Sequence, residues 1–151
     1  MAAKEELLKR LGDERTLRET RGPELVSEWQ EALTGLFRQF VAWLAEPVAS
    51  GLLAVVETPV EVHEEGLGDY QASSLKIVTP QGETVRVLPK ARLVVGAFGR
   101  VDLECAPHKA MLVRKERARW QFARLAPDQG GWSFEDLTEG SFWSTLQYLL
   151  S

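Results

Sequence analysis

Val101, Leu103 and Cys105 alternate with Arg100, Asp102 and Glu104. A period of two cannot follow one side of a helix, so this run reads as a strand with one dry face and one wet face. Just upstream, Leu93, Val94 and Val95 are continuously apolar. That is the pattern of a strand covered on both sides, and Gly96 and Gly99 let the backbone bend between the two runs. Residues 93–105 therefore predict the middle of an antiparallel sheet. Val101, Leu103 and Cys105 are expected to point inwards, and Asp102 and Glu104 to be wetted.

The flanking sequence reads as a meander of about five to seven strands. Leu75 and Ile77 share one face of a strand, and Val85 and Val87 do the same in the next. Between them Thr79-Pro80-Gln81-Gly82 places proline second and glycine fourth, as a type I turn prefers, and so predicts a hairpin. Leu88-Pro89-Lys90-Ala91 is expected to form the next connection. Ala106-Pro107-His108-Lys109 reverses the chain again, because proline cannot donate to a central ladder. Residues 111–114 and 119–124 follow as two further strands, with Trp120 and Phe122 on a shared face. Residues 128–131 read as a loop, and Trp132 with Phe134 as one more short strand. Ahead of the meander, residues 52–56 read as a buried strand in preference to a last helical turn, and Pro59 assigns the alternating Val60-Glu61-Val62-His63 to a sheet edge.

Helices are expected at both ends. Leu25, Trp29, Leu33, Leu36, Phe37, Phe40 and Leu44 recur at steps of three and four, the broad apolar stripe of a long helix, with Glu24, Glu31 and Arg38 facing outward. Gly22-Pro23 is expected to open this helix, since proline suits the first helical position, and Pro47 to stop or kink it. Leu7, Leu8 and Leu11 predict a separate short amphipathic helix that ends near Gly12. Near the C-terminus Thr138 can cap a helix lined on one face by Phe142, Leu146 and Leu149, with Leu137 and Phe142 placed as a hydrophobic staple. The fold class is α+β: an antiparallel meander packed by a long N-terminal helix and a short C-terminal one. The expected division is a helical arm over residues 1–21 and a single domain over residues 22–151, long enough to bury a core without staples.

A single cysteine allows no internal disulfide, and the opening residues lack a charged segment followed by an apolar one. The longest apolar run, residues 51–56, is too short to cross a bilayer. A cytoplasmic protein without membrane contact is expected.

The net charge of -4 is unevenly placed. Residues 1–83 carry eight Lys and Arg against 15 Asp and Glu, residues 86–124 carry ten against three, and residues 125–151 carry none against four. A basic sheet between acidic ends either cancels within the molecule or offers a basic surface to nucleic acid or an acidic partner. The densest basic run, Arg114-Lys115-Glu116-Arg117-Ala118-Arg119, falls at a hairpin tip beside Trp120 and Phe122. Arg114, Lys115, Arg117 and Arg119, with Arg100 and Asp102 on a nearby strand, form the candidate interaction surface. Cations beside aromatics can hold single-stranded nucleic acid by phosphate neutralisation and stacking, but a period of two turns Trp120 and Phe122 towards the core.

The sequence assigns no catalytic, cofactor-binding or metal-ligating residue. Cys105 and His108 stand three apart across a proline turn without a third group to orient them, so Cys105 reads as a buried, inert thiol. His63, Glu64, Glu65 and Asp69 lack the spacing of a metal site and read as a solvated turn. Gly99-Arg100-Val101-Asp102-Leu103, followed by Leu112-Val113-Arg114-Lys115, resembles the core of the PD-(D/E)xK nucleases. The resemblance implies a metal held by Asp102 and by an acid-x-lysine run ending at Lys115. Val113 stands where that core has its second acid, which leaves the metal one carboxylate short. Elimination favours a non-catalytic protein-interaction module: an adaptor, a chaperone-like or immunity-like partner, or a homo-oligomer, with some of the five tryptophans as anchors. Nucleic-acid binding through residues 86–124 is the alternative, and a metal-dependent hydrolase stands behind it.

Overall fold

The computed structural model describes residues 2–126, 128 and 130–151, and of residues 16–20 and 126 the backbone alone. Helix α1 (Ala2–Ala49) leads into β1 (Ala54–Glu64), β2 (Gly68–Val78), β3 (Thr84–Ala91), β4 (Arg100–Cys105), β5 (His108–Glu116), β6 (Arg119–Ala126) and β7 (Gly131–Asp136), and α2 (Glu139–Leu149) closes the chain. The seven strands pair in chain order, each antiparallel to the next. This is the α+β meander that the alternating runs require.

One face of the sheet is covered by both helices. Trp29, Leu33, Leu36, Phe37, Phe40 and Leu44 of α1 are buried, Leu25 is half-buried, and Glu24, Glu31 and Arg38 are exposed. They meet Leu75, Ile77, Val85, Val87, Val101, Leu103, Leu112 and Phe122, which project from five consecutive strands. Each such side chain contributes about 1.5–3 kcal/mol when it leaves water. Helix α2 joins the same layer: Phe142 stacks on Phe40 with centroids 4.6 Å apart and packs on Trp43 at 5.3 Å. The expected cap is present, with the Thr138 hydroxyl accepting from the Ser141 amide at 3.0 Å and the Ser141 hydroxyl accepting from the Thr138 amide at 2.8 Å.

Helix α1 corrects two expectations. It runs through Gly12 and through Gly22-Pro23 without a break, and Pro47 lies in its last turn. An interior proline removes the hydrogen bond to the carbonyl four residues back, at a cost of about 3 kcal/mol. Pro23 is exposed, so water can take that carbonyl, and the turns beyond it are anchored by Trp29. The helix ends instead at Gly51, whose φ of 75° is the left-handed value that closes helices. There the amides of Gly51 and Leu52 donate to Val48 and Pro47 carbonyls at 3.1 and 2.9 Å. Leu7, Leu8 and Leu11, on the first turns, are exposed.

The 79–82 hairpin forms as expected, with the Gly82 amide donating to the Thr79 carbonyl at 2.9 Å. Residues 54–56 open β1, the edge strand that Pro59 marks, but the run 52–56 is not the expected buried strand: Leu52 and Val56 are exposed, because an edge strand has a neighbour on one side only. Three other expectations fail. Leu88-Pro89-Lys90-Ala91 is not a connection but the second half of β3, with a register irregularity between Pro89 and Ala91. Leu93, Val94 and Val95 are not a covered strand: residues 92–99 form a loop in which Val95 is fully exposed. The loop returns at Phe98 and Gly99, whose amide and carbonyl pair with Arg114 at 2.7 and 2.9 Å. Of the expected 128–131 loop, Gln129 lies outside the described residues and Gly131 already belongs to β7.

The third failure lies within the solvated turn at residues 63–70: the turn forms at 65–67 with His63, Glu65 and Asp69 exposed, but Glu64 and Tyr70 are buried. β2 pairs with β3 only from Leu75 to Val78, so β1 and β2 continue beyond β3 as a two-stranded ribbon. Such ribbons twist strongly, and burial shifts by one residue at Ser74 and Leu75. Nearer the tip Val62, Glu64, Tyr70 and Ser74 are the covered residues. Glu64 is therefore turned into the protein, where it meets the 92–99 loop. His63 stays outside and bonds Asp69 through Nδ1. That contact, followed by the Asp69 charge, holds the His63 imidazole above its ordinary value. In an NMR titration the His63 ring should titrate above about 6.5, and Asp69→Asn should lower its midpoint; an unmoved midpoint refutes the pairing.

Candidate interaction surface

Asp102 is completely buried although it lies on the face away from the helices. Arg100 grips it with two bonds, Nε to Oδ1 at 2.8 Å and Nη2 to Oδ2 at 3.0 Å, and Lys109 Nζ stands 3.1 Å from Oδ2. An aspartate loses its water only where paired cations and hydrogen bonds replace it. That replacement reverses the expectation of a wetted Asp102. The bond to Asp102 in turn holds the Arg100 guanidinium above its usual value. Glu104 sits between Lys90 and Lys109, each at 3.7 Å, so a charge ladder crosses β3, β4 and β5.

Arg114 is not part of an exposed basic surface either. It is buried on the helix side, where Nη2 donates to Glu28 Oε1 at 2.9 Å and Nε donates to the Arg117 carbonyl at 2.9 Å. Arg92, also buried, reaches the same Glu28 oxygen at 3.7 Å and lies over the Phe98 ring at 5.4 Å. Burial pulls the Arg92 guanidinium below its usual value, and Glu28 opposes this. Beside this cluster Glu64 accepts from the amides of Arg92 at 3.0 Å and Leu93 at 2.6 Å and from the Tyr70 hydroxyl at 2.7 Å. Burial, reinforced by Glu64, pushes the Tyr70 hydroxyl well above the usual tyrosine range. The sequence carried no sign of this clamp, because its members come from α1, the β1–β2 ribbon, one loop and β5.

The remaining candidates stay at the surface. Arg117 and Arg119 are exposed around the β5–β6 turn. Arg119 donates to Asp136 Oδ1 at 2.9 Å, and Gln121 joins it at 2.7 Å. Those bonds, Gln121 first, hold the Asp136 carboxyl below its usual range. Lys115 lies over the Phe134 ring at 4.1 Å. Arg100 and Asp102 form one pair, and Arg114 points away from both, so the six predicted residues do not make a single surface.

A different surface is exposed at the end of the sheet. In the β6–β7 pairing Leu125 faces Trp132 and Ala123 faces Phe134. Leu125 is 62% exposed, Trp132 54% and Phe134 44%. The alternation that turns Phe122 inwards turns these residues to the other face, where neither helix lies. On the helix side a groove of about 600 Å³ lies between α2 and strands β5 and β6, lined by Phe122, Met111 and, alone of the three, Leu125, with Arg124, Ser144, Thr145 and Tyr148 among its polar residues. Trp132 and Phe134 were legible as a strand, but which face they took depended on what covered them.

The geometry bears on the nuclease resemblance. Val113 pairs with Arg100, and Lys109, not Lys115, reaches Asp102. Among the described residues no group of three or more His, Cys, Asp and Glu side chains is placed to hold a metal ion. Cys105 is half-buried against the core and pairs through its backbone with His108, whose ring lies 4.8 Å from that of Tyr148. Among the described residues no helix is long and apolar enough to cross a membrane. No protein-family model, curated protein or solved structure matches the chain.

Proposed function

We propose that this protein works by protein contact, as a non-catalytic interaction module, and that the partner docks on the outer face of β6 and β7. One observation carries this reading: Leu125, Trp132 and Phe134 stand together in register, each 44–62% exposed, on the face of the strand pair turned away from both helices. A contiguous apolar patch at a sheet end is costly in water and marks surfaces that bind. Tryptophan is also the side chain most often found at the energetic centre of interfaces.

The charge distribution supports the same ranking. Of the ten Lys and Arg in residues 86–124, Lys90, Arg92, Arg100, Lys109, Arg114 and Arg119 are in ion pairs within the chain. Arg86, Lys115, Arg117 and Arg124 are left, spread over β3, β5–β6 and β6, and nucleic acid is held best by a continuous row of unpaired cations. Binding of nucleic acid is therefore the second reading.

The test compares the wild-type chain with Trp132→Lys as bait in native lysate. Trp132→Lys should melt within about 2 °C of wild type, as an exposed substitution does, and should lose a stoichiometric partner that wild type retains. Equal capture by both proteins would refute the docking site.

A further inference from the structure

We propose that the partner at this surface is a second copy of the chain, joined through the open edge of β7 into one continuous sheet; the inference rests on the interaction reading above. The sheet has two edges. Along β1 the outer edge carries Pro59 and the charged Glu57, Glu61 and His63, the usual devices that stop strands from pairing further. Residues 131–134 of β7 carry neither charge nor proline.

The hydrogen-bond pattern shows which groups this edge offers. The Leu137 amide donates to the Trp120 carbonyl at 3.0 Å, so residues 120 and 137 form a bonded pair in the β6–β7 register. Bonded pairs recur at every second residue of an antiparallel ladder. Residues 131, 133 and 135 therefore bond inwards to β6, and the amides and carbonyls of Trp132 and Phe134 point out from the sheet.

Two β7 strands related by a twofold axis at Ser133 satisfy these groups. Trp132 of each copy then faces Phe134 of the other as a bonded pair, giving about four new backbone hydrogen bonds. The pairing brings two tryptophans and two phenylalanines together on the face that also holds Leu125. Glu135 falls opposite Gly131, so no like charges meet, and Asp136 is already held by Arg119 and Gln121. A twofold axis at Phe134 would instead set Trp132 against Asp136, a worse match. The second copy is thus the occupant whose chemistry fits without a further assumption.

Sedimentation and directed cross-linking of the full chain test the arrangement. Wild type should show a concentration-dependent dimer at about micromolar protein, as fits a contact at the small end of specific interfaces. Trp132→Lys with Phe134→Lys should weaken it at least about 100-fold, because each anchor counts twice across the axis. Ser133 of the two copies form a non-bonded pair with Cα atoms about 4.5 Å apart, within disulfide reach. On a Cys105→Ser background, Ser133→Cys should therefore cross-link under mild oxidation, and Glu135→Cys should not. A chain that stays monomeric up to about 1 mM overturns the proposal, as does a dimer that ignores the lysine substitutions or fails to cross-link at position 133. A monomer that still captures a different protein through Trp132 overturns self-pairing alone and leaves the interaction reading in place.

Discussion

Gly99→Ala is expected to destabilise the fold by about 2–6 kcal/mol, from overpacking of about 1–3 and an unfavourable backbone of about 1–3. A Cβ at residue 99 would stand 2.2 Å from Trp29 Cζ3 and 2.4 Å from Cη2, and the residue has a φ of 145° that L side chains rarely adopt. Trp29 is fully buried, so its ring has nowhere to retreat without moving α1. A typical domain has only about 5–15 kcal/mol in total, and the thermal midpoint should fall by about 5–20 °C. Gly96→Ala separates the two causes. Gly96 also has a positive φ, 76°, but nothing lies within 4 Å of its added Cβ, so only the backbone cost of about 1 kcal/mol applies. Chemical denaturation of both variants decides the matter: equal losses would mean that the Trp29 contact is not what fixes Gly99.

Glu64→Ala should cost about 3–5 kcal/mol. The carboxylate accepts from Arg92 and Leu93 amides and from the Tyr70 hydroxyl, and each buried donor left without an acceptor costs about 1–3 kcal/mol. The losses are not additive, since the 92–99 loop can swing outward and let water reach its amides. Glu64→Gln keeps an acceptor and should lose about half as much. Amide exchange gives the more specific readout, because Arg92 and Leu93 should lose protection together in Glu64→Ala while the Val101 and Leu103 amides stay protected. Protection unchanged at residues 92 and 93 would show that the ribbon is held to the loop by something other than Glu64.

At both sites the deciding contact comes from a distant segment of the chain. The alternation through Val101 and Leu103 located β4 correctly, and the step of three and four along α1 located its buried face, because both patterns report whether one side of an element is dry. Neither pattern reports what covers the other side. Parity alone puts Asp102 on a wetted face, yet Arg100 and Lys109 close over it on the outer face. Leu93, Val94 and Val95 are as apolar as a covered strand, but among the described residues they join no strand ladder, and Val94 bridges only Ala97. Arg114 has cations for neighbours in sequence, while the carboxylate that neutralises it, on Glu28, is 86 residues away.

What the sequence settled by itself is local: the turn at 79–82, the Thr138 cap, the alternation along β4 and the apolar stripe of α1. These follow from backbone sterics, hydrogen bonding within a few residues and the repeat of side chains along one element. What only the tertiary structure decided is which charges are buried and which aromatics are left in water. Glu64, Asp102 and Arg114 are inside because partners from distant segments replace their hydration, and Leu125, Trp132 and Phe134 are outside because both helices cover the opposite face. Burial is a property of the pair of surfaces that meet, and a single segment carries only one of them.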